Sequence, residues 1–165
     1  MLSVRWWRQE GMTWNIFWEN TQTIVRIILK NNAYISYAED RLYHTSCNGS
    51  AITCCNINGK IIWEFRTEKL QHPRGIAVDR KGRIYVVGEA SNNVIQISPD
   101  GKHFTELLTK SHEIYKPSAM CCDRKNDIIV ICNKNGCLFV YKIREDNTDI
   151  YTGKTWTAIL NKRIP

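Results

Sequence analysis

The chain repeats itself with a period of 44 residues, and this periodicity constrains the fold more than any other feature. The stretch HPRGIAVDRKGRIYVV at residues 72–87 returns as KPSAMCCDRKNDIIVI at residues 116–131. The alignment superposes Pro73 on Pro117, Asp79 on Asp123, Gly82 on Asn126, and residues 84–87 on residues 128–131. A sequence with this kind of period builds one supersecondary unit per repeat, and each unit stacks on its neighbours.

A fainter copy lies upstream at an offset of 42 residues, where Asn58-Gly59 matches Asp100-Gly101. Between the two clearer copies, Asn126 takes the place of Gly82. Glycine and asparagine are the residues that best tolerate a left-handed backbone. The alignment therefore predicts a left-handed turn residue at both positions.

Within the middle repeat, runs rich in Val, Ile and Tyr alternate with turns rich in Gly, Asn and Asp. The segments GIAVD, RIYVV, NVIQIS and HFTELL are typical of short antiparallel strands, and RKG, GEASN and PDG are typical of the turns between them. No segment longer than about ten residues shows a convincing helical period. We therefore predict an all-β fold, a partial β-propeller of about three four-stranded antiparallel blades, at roughly residues 30–70, 71–115 and 116–145.

The middle repeat, P-x-GIAVD-x-x-G-x-IYVV followed by Asn93 and Asp100-Gly101, resembles an NHL repeat. Over roughly residues 30–145 the chain resembles the C-terminal propeller of tripartite-motif (TRIM-NHL) E3 ubiquitin ligases. Propellers of that family usually close with six blades, so the resemblance implies half a ring. It would be a fragment, a truncated product, or a half-ring completed by further blades or by self-association.

The two ends of the chain fall outside the repeats. Residues 1–22 hold four of the six tryptophans. We favour a degenerate blade strand, or sequence foreign to the repeat that packs on the first blade, over an interfacial membrane anchor, because the segment has no net charge to attract anionic lipid. Residues 146–165 match no repeat and are predicted to form a loosely packed C-terminal extension.

Composition and cysteine usage limit the class of protein. The net charge of +7 points weakly toward acidic partners such as RNA. No apolar stretch reaches the 18 or more residues of a membrane span, and the first residues lack the apolar core of a secretory signal. The seven cysteines include two adjacent pairs, which make a poor disulfide framework. We expect reduced thiols, a cytoplasmic location and no membrane partner.

Motifs for catalysis or metal binding are absent from the sequence. There is no CxxC pair, no HExxH, no GxSxG and no phosphate-binding glycine loop. We therefore expect no metal, no cofactor and no enzymatic activity, since a ligase would need a RING domain that this sequence lacks. The adjacent cysteines, Cys54 with Cys55 and Cys121 with Cys122, are expected on strands. Asp79 and Asp123 are expected to accept backbone hydrogen bonds in the turns that follow them.

The turns of a propeller sort onto two rims, and binding gathers on the rim that carries the strand 2–3 loops and the connections between blades. The residues predicted to bind on that rim are His72, Arg74, His112, Tyr115, Lys116 and Lys134. The family resemblance implies a protein substrate in ubiquitination as the leading partner and single-stranded RNA as the alternative. A degenerate fragment without independent function is the third interpretation. The opposite rim is equally basic, so charge alone does not decide between these partners.

Overall fold

Three antiparallel sheets account for nearly all of the described structure. The computed structural model describes residues 33–143 and the backbone of a strand at residues 156–163. The tryptophan-rich segment at residues 1–22 lies outside the described residues, so its interpretation stays a prediction.

Each sheet is a meander of four strands in which neighbours along the sheet pair antiparallel. The first blade consists of β1 (Ile35–Ala38), β2 (Arg41–Ser46), β3 (Ala51–Asn56) and β4 (Ile61–Arg66). The middle blade consists of β5 (Pro73–Val78), β6 (Ile84–Gly88), β7 (Asn93–Ile97) and β8 (Phe104–Leu108). A single 3-10 turn, η1 (Lys110–His112), precedes the third blade, which consists of β9 (Pro117–Asp123), β10 (Ile128–Asn133), β11 (Cys137–Ile143) and β12 (Trp156–Arg163).

Side chains along β6 of the middle blade point alternately to its two faces, and this explains how the blades stack. Ile84 and Val86 face the first blade, on what we call the backward face of a blade. Tyr85 and Val87 point the other way, on the forward face, and pack against the third blade. All four side chains are fully buried. Each such burial stabilises the fold by about 1.5–3 kcal/mol, so the middle blade is held from both sides.

The outer strand of the third blade comes from a segment that the sequence placed outside the blades. β12 (Trp156–Arg163) pairs antiparallel with β11 and completes the four-stranded sheet. The segment predicted as a loose extension at residues 146–165 thus includes a blade strand. The repeat pattern missed it because residues 144–155 separate the two strands, which breaks the spacing of the other blades.

The repeat alignment is off by one residue at β10. Val78 pairs with Ile84 in the middle blade, whereas Cys122 pairs with Ile129 in the third. The turn between β9 and β10 therefore carries one extra residue. The left-handed turn residue there is Asp127, with φ 55°, and not Asn126. The predicted equivalence of Gly82 and Asn126 is wrong for this reason.

The innermost strands of the middle and third blades approach closely. A Cβ atom on Gly75 would lie 2.5 Å from the backbone nitrogen of Met120 and 2.8 Å from the carbonyl carbon of Ala119. Such a separation leaves no room for a side chain, because real Cβ contacts are longer. Glycine is therefore required where β5 meets β9.

Candidate protein-binding rim

The order of the strands places the predicted binding residues on one rim of the blades. In each meander the loop between the second and third strands and the connection to the next blade lie at the same end. We call this end the loop rim. It comprises the loops at residues 47–50, 67–72, 89–92, 109–116 and 134–136, together with Arg74 near the start of β5.

Glu89 joins two of the predicted cations in one cluster. Its carboxylate accepts from Arg74 at 2.6 Å and also pairs with Lys134 of the third blade. Burial raises the pKa of Glu89, but the hydrogen bonds from Lys134 and Arg74 outweigh it and hold the pKa below the usual value. Arg74 and Lys134 are thus brought together by an acid that neutralises part of their charge.

His72 and Lys116 adopt the same unusual backbone at equivalent places in two blades. Both are left-handed, with φ 49° and 46°, and both precede a proline. Each carbonyl then accepts from the loop between the second and third strands of its own blade: Glu89 N–H donates to His72 and Lys134 N–H donates to Lys116. Because the two blades share the arrangement, the strained backbone is part of the scaffold, and it leaves both side chains exposed.

Tyr115 is the large apolar side chain that the loop rim exposes. It is 43% exposed, and the ammonium group of Lys116 lies 5.4 Å from the centre of its ring. The Lys116 N–H donates to Asn92 Oδ1 at 2.8 Å, which ties this connection to the middle blade. An exposed aromatic on a fixed backbone with a cation beside it is the kind of group that anchors a protein partner.

His112 lies apart from this cluster, on η1 (Lys110–His112). Its Nδ1 accepts from the Thr109 N–H at 3.1 Å, so the ring is turned back onto its own loop. The side chain is exposed, but the structure shows it in a local turn rather than in the group around Tyr115. The structure thus groups Arg74 with Lys134 and Tyr115 with Lys116, and it leaves His112 at the edge.

Sequence reasoning did not identify Glu89 or Asn92 as important to the rim. Glu89 lies 15 residues from Arg74 in sequence, and Asn92 lies 24 residues from Lys116. No local sequence motif predicts contacts between residues so far apart in sequence. The available signal was weak, because Glu89 is one of three acidic residues on the loop rim, with Glu68 and Glu113.

On the opposite rim the basic residues are also paired. Arg80 forms an ion pair with Asp127 at 2.7 Å, and Arg83 pairs with the buried Asp79. Arg124 donates to the carbonyl groups of Val78 and Tyr37, both at 2.9 Å. Arg80 and Arg124 thus connect different blades, whereas Arg83 pairs within the middle blade.

Asp79 and Asp123 accept backbone hydrogen bonds in the turns that follow them, as predicted. Asp79 Oδ1 accepts from the N–H groups of Lys81 and Arg83, both at 2.9 Å. Asp123 Oδ1 accepts from Lys125 N–H at 3.0 Å and from Asn126 N–H at 3.2 Å. Both carboxylates thus stabilise the turn after the innermost strand of a blade.

The adjacent cysteines lie on β3 and β9 as free thiols. Burial raises the pKa of Cys54 and of Cys122 to about 11, so these thiols stay protonated at neutral pH. Among the described residues, no group of three or more His, Cys, Asp or Glu side chains is arranged to hold a metal ion. In the same part of the chain, no helix has the length and apolar character needed to cross a membrane.

Three consecutive four-stranded meanders, stacked face to face with their loops on two rims, define a run of β-propeller blades. Residues 69–96 match the beta-propeller repeat family SBBP. The Pan2 WD40 domain of Neurospora crassa has a similar structure, with a TM-score of 0.59 and 16% identity, covering 79% of this chain and 35% of that chain. Virginiamycin B lyase from Staphylococcus aureus gives a TM-score of 0.50 at 18% identity, covering 71% and 43%. The predicted all-β propeller fold is confirmed.

Among curated proteins, the chain is similar to the E3 ubiquitin-protein ligase TRIM56. It is 29% identical to the Mus musculus protein over 98 residues, which are 58% of this chain and 13% of that one. It is 24% identical to the Homo sapiens protein over 103 residues, which are 60% of this chain and again 13% of that one. The predicted resemblance to a propeller of this kind of ligase is confirmed. The chain covers 13% of the length of these relatives, and the fold together with the relatives indicates a protein-interaction module.

Proposed function

We propose that the loop rim binds a protein and that this binding presents the protein to a ubiquitin ligase. The observation that carries the proposal is Tyr115, an exposed aromatic side chain with Lys116 beside it on a backbone fixed to the middle blade. Protein interfaces concentrate their binding energy in such aromatic anchors. The similarity to TRIM56, whose name states ubiquitin ligation, supports the second half of the proposal.

Charge pairing favours protein over RNA as the partner. Single-stranded RNA needs several unneutralised cations along a groove, together with aromatic rings for its bases. Arg74 and Lys134 instead share Glu89, which lowers the positive charge of the loop rim where the phosphates would lie. In this proposal the loop rim only binds the protein, and another domain catalyses the transfer of ubiquitin.

Site-specific photo-crosslinking in cells tests the proposal. A benzophenone amino acid replaces Tyr115, and a matched variant carries it at Ile61, which is 61% exposed on the outer strand of the first blade. We expect nuclease-resistant protein adducts that carry ubiquitin from position 115 and none from position 61. Adducts that nuclease removes would show that the partner is RNA. Adducts at neither position, or equal adducts at both, would overturn the proposal.

A further inference from the structure

Arg74 presents an unused edge of its guanidinium group to solvent at the loop rim. Its Nε donates to Glu89 Oε2 at 2.6 Å, and its Nη atoms have no hydrogen-bond partner among the described residues. In the same part of the chain, the side-chain nitrogen and oxygen atoms that are buried without a partner are His44 Nδ1 and Asp127 Oδ1. Both Nη atoms of Arg74 therefore reach solvent with their N–H donors unused.

The surroundings of Arg74 hold this edge in a fixed position. Its side chain is only 19% exposed, and Glu89, which also pairs with Lys134 of the third blade, fixes one side of the planar group. Electrostatic interactions with Cys47 and Tyr34 place the guanidinium where the first blade meets the middle blade. A group that is already oriented in this way loses little conformational freedom when it binds.

The charges around Arg74 do not balance. Arg74 and Lys134 share the single carboxylate of Glu89, so one positive charge of this cluster has no acid to pair with. The Lys134 N–H donates to the Lys116 carbonyl at 3.4 Å, which places the cluster next to Tyr115 and Lys116. The Lys116 ammonium group lies over the Tyr115 ring and pairs with no acid among the described residues. An excess of positive charge thus lies beside the exposed aromatic side chain.

We propose that the protein bound at the loop rim places an aspartate or glutamate side chain on the Nη edge of Arg74, next to the group that contacts Tyr115. A carboxylate matches the planar guanidinium group and accepts two parallel hydrogen bonds from it. One carboxylate also balances the one unpaired charge of the cluster, whereas an RNA strand brings a charge with every nucleotide. The inference rests on the proposed function, because it states the chemistry of the partner at the same rim.

Selection of random peptides, displayed on phage, against the purified whole chain tests the inference. Each selected peptide is then synthesised with a C-terminal amide, so that acidic side chains supply its carboxylates, and its affinity is measured by fluorescence anisotropy. We expect a shared aspartate or glutamate, whose change to asparagine or glutamine weakens binding about 10- to 100-fold. With Arg74→Gln the same change in the peptide is expected to have little effect, because the acid has already lost its partner.

Two further variants separate this contact from folding and from general charge effects. Arg74→Lys keeps the positive charge and the ability to pair with Glu89, but it lacks the planar edge. We expect it to lose most of the peptide affinity while its thermal melt stays close to that of the wild type. Lys110→Gln removes an exposed positive charge from the same rim and is expected to leave the affinity unchanged.

The possible results distinguish this inference from the proposed function. A library that yields no binder, or equal weakening by the acid-to-amide change in the wild type and in Arg74→Gln, overturns the inference. Binders that need Tyr115 but share no acidic residue overturn it too, and they leave the proposed function standing. Acidic binders that need Arg74, without ubiquitin-carrying adducts at position 115 in cells, support the inference and overturn the proposed function alone.

Discussion

Asp79 and Asp123 end equivalent strands, but their surroundings differ. The Asp79 side chain has no exposed surface, and besides the turn it accepts from Arg83 Nε and, at 3.0 Å, from the Tyr85 hydroxyl. Asp123 lies in solvent, where the Asn126 side-chain and backbone N–H groups hold its pKa below the usual value. One motif thus supports a buried charge network in the middle blade and a solvated turn in the third.

We expect Asp79→Ala to destabilise the fold by about 3 kcal/mol, because it removes a fully buried carboxylate that pairs with Arg83 and accepts from the Tyr85 hydroxyl. Asp123→Ala removes the same turn hydrogen bonds in water and is expected to cost clearly less. Urea unfolding followed by circular dichroism measures both. Equal losses of unfolding free energy in the two variants would show that the buried charge network around Asp79 contributes no stability beyond that of the turn hydrogen bonds.

The spacing of elements follows from sequence only where the repeat is regular. The Asn-Gly and Asp-Gly turns were predicted and occur, with Gly59 and Gly101 at φ 80° and 73°. The one-residue insertion before Ile129 was not predicted, because IIVI tolerates either register when every position is apolar. Contacts such as Glu89 with Lys134 depend on how blades stack, and no local pattern encodes them.

A substitution at Gly75 tests how closely β5 and β9 pack. Gly75→Ala is expected to destabilise the fold by about 1–3 kcal/mol, because the new methyl group meets backbone atoms of β9 that cannot move aside. Gly49→Ala is the matched control, since its Cβ would meet side-chain atoms alone, the nearest being the Ser46 hydroxyl at 2.9 Å. Thermal melts of both variants measure the difference, and a Gly75→Ala variant as stable as the control would contradict the close approach.

Across the whole molecule, Arg124 is the side chain that ties the three blades together. It lies in the turn after β9 and donates to the carbonyls of Val78 and Tyr37, which are 46 and 87 residues away in sequence. Hydrogen bonds from a charged donor contribute about 1.5–3 kcal/mol each, so this residue couples blades that the chain connects only in series.

Arg124→Lys keeps the charge but replaces the planar group that spans both carbonyls. We expect faster amide exchange in β1 and a broader unfolding transition, since the first blade is then free to open by itself. Hydrogen exchange read by mass spectrometry measures this, with Arg80→Lys as the control at a half-exposed ion pair. Unchanged exchange in β1 would mean that the apolar faces alone couple the blades.

The origin of β12 fixes the order in which the molecule can be completed on the ribosome. Its residues, Trp156–Arg163, follow β11 only after residues 144–155 have been synthesised. The first and middle blades have all of their strands by then, whereas the nascent third sheet ends in β11 with an unpaired backbone edge. A chaperone that recognises open strand edges would therefore have its longest opportunity at this blade.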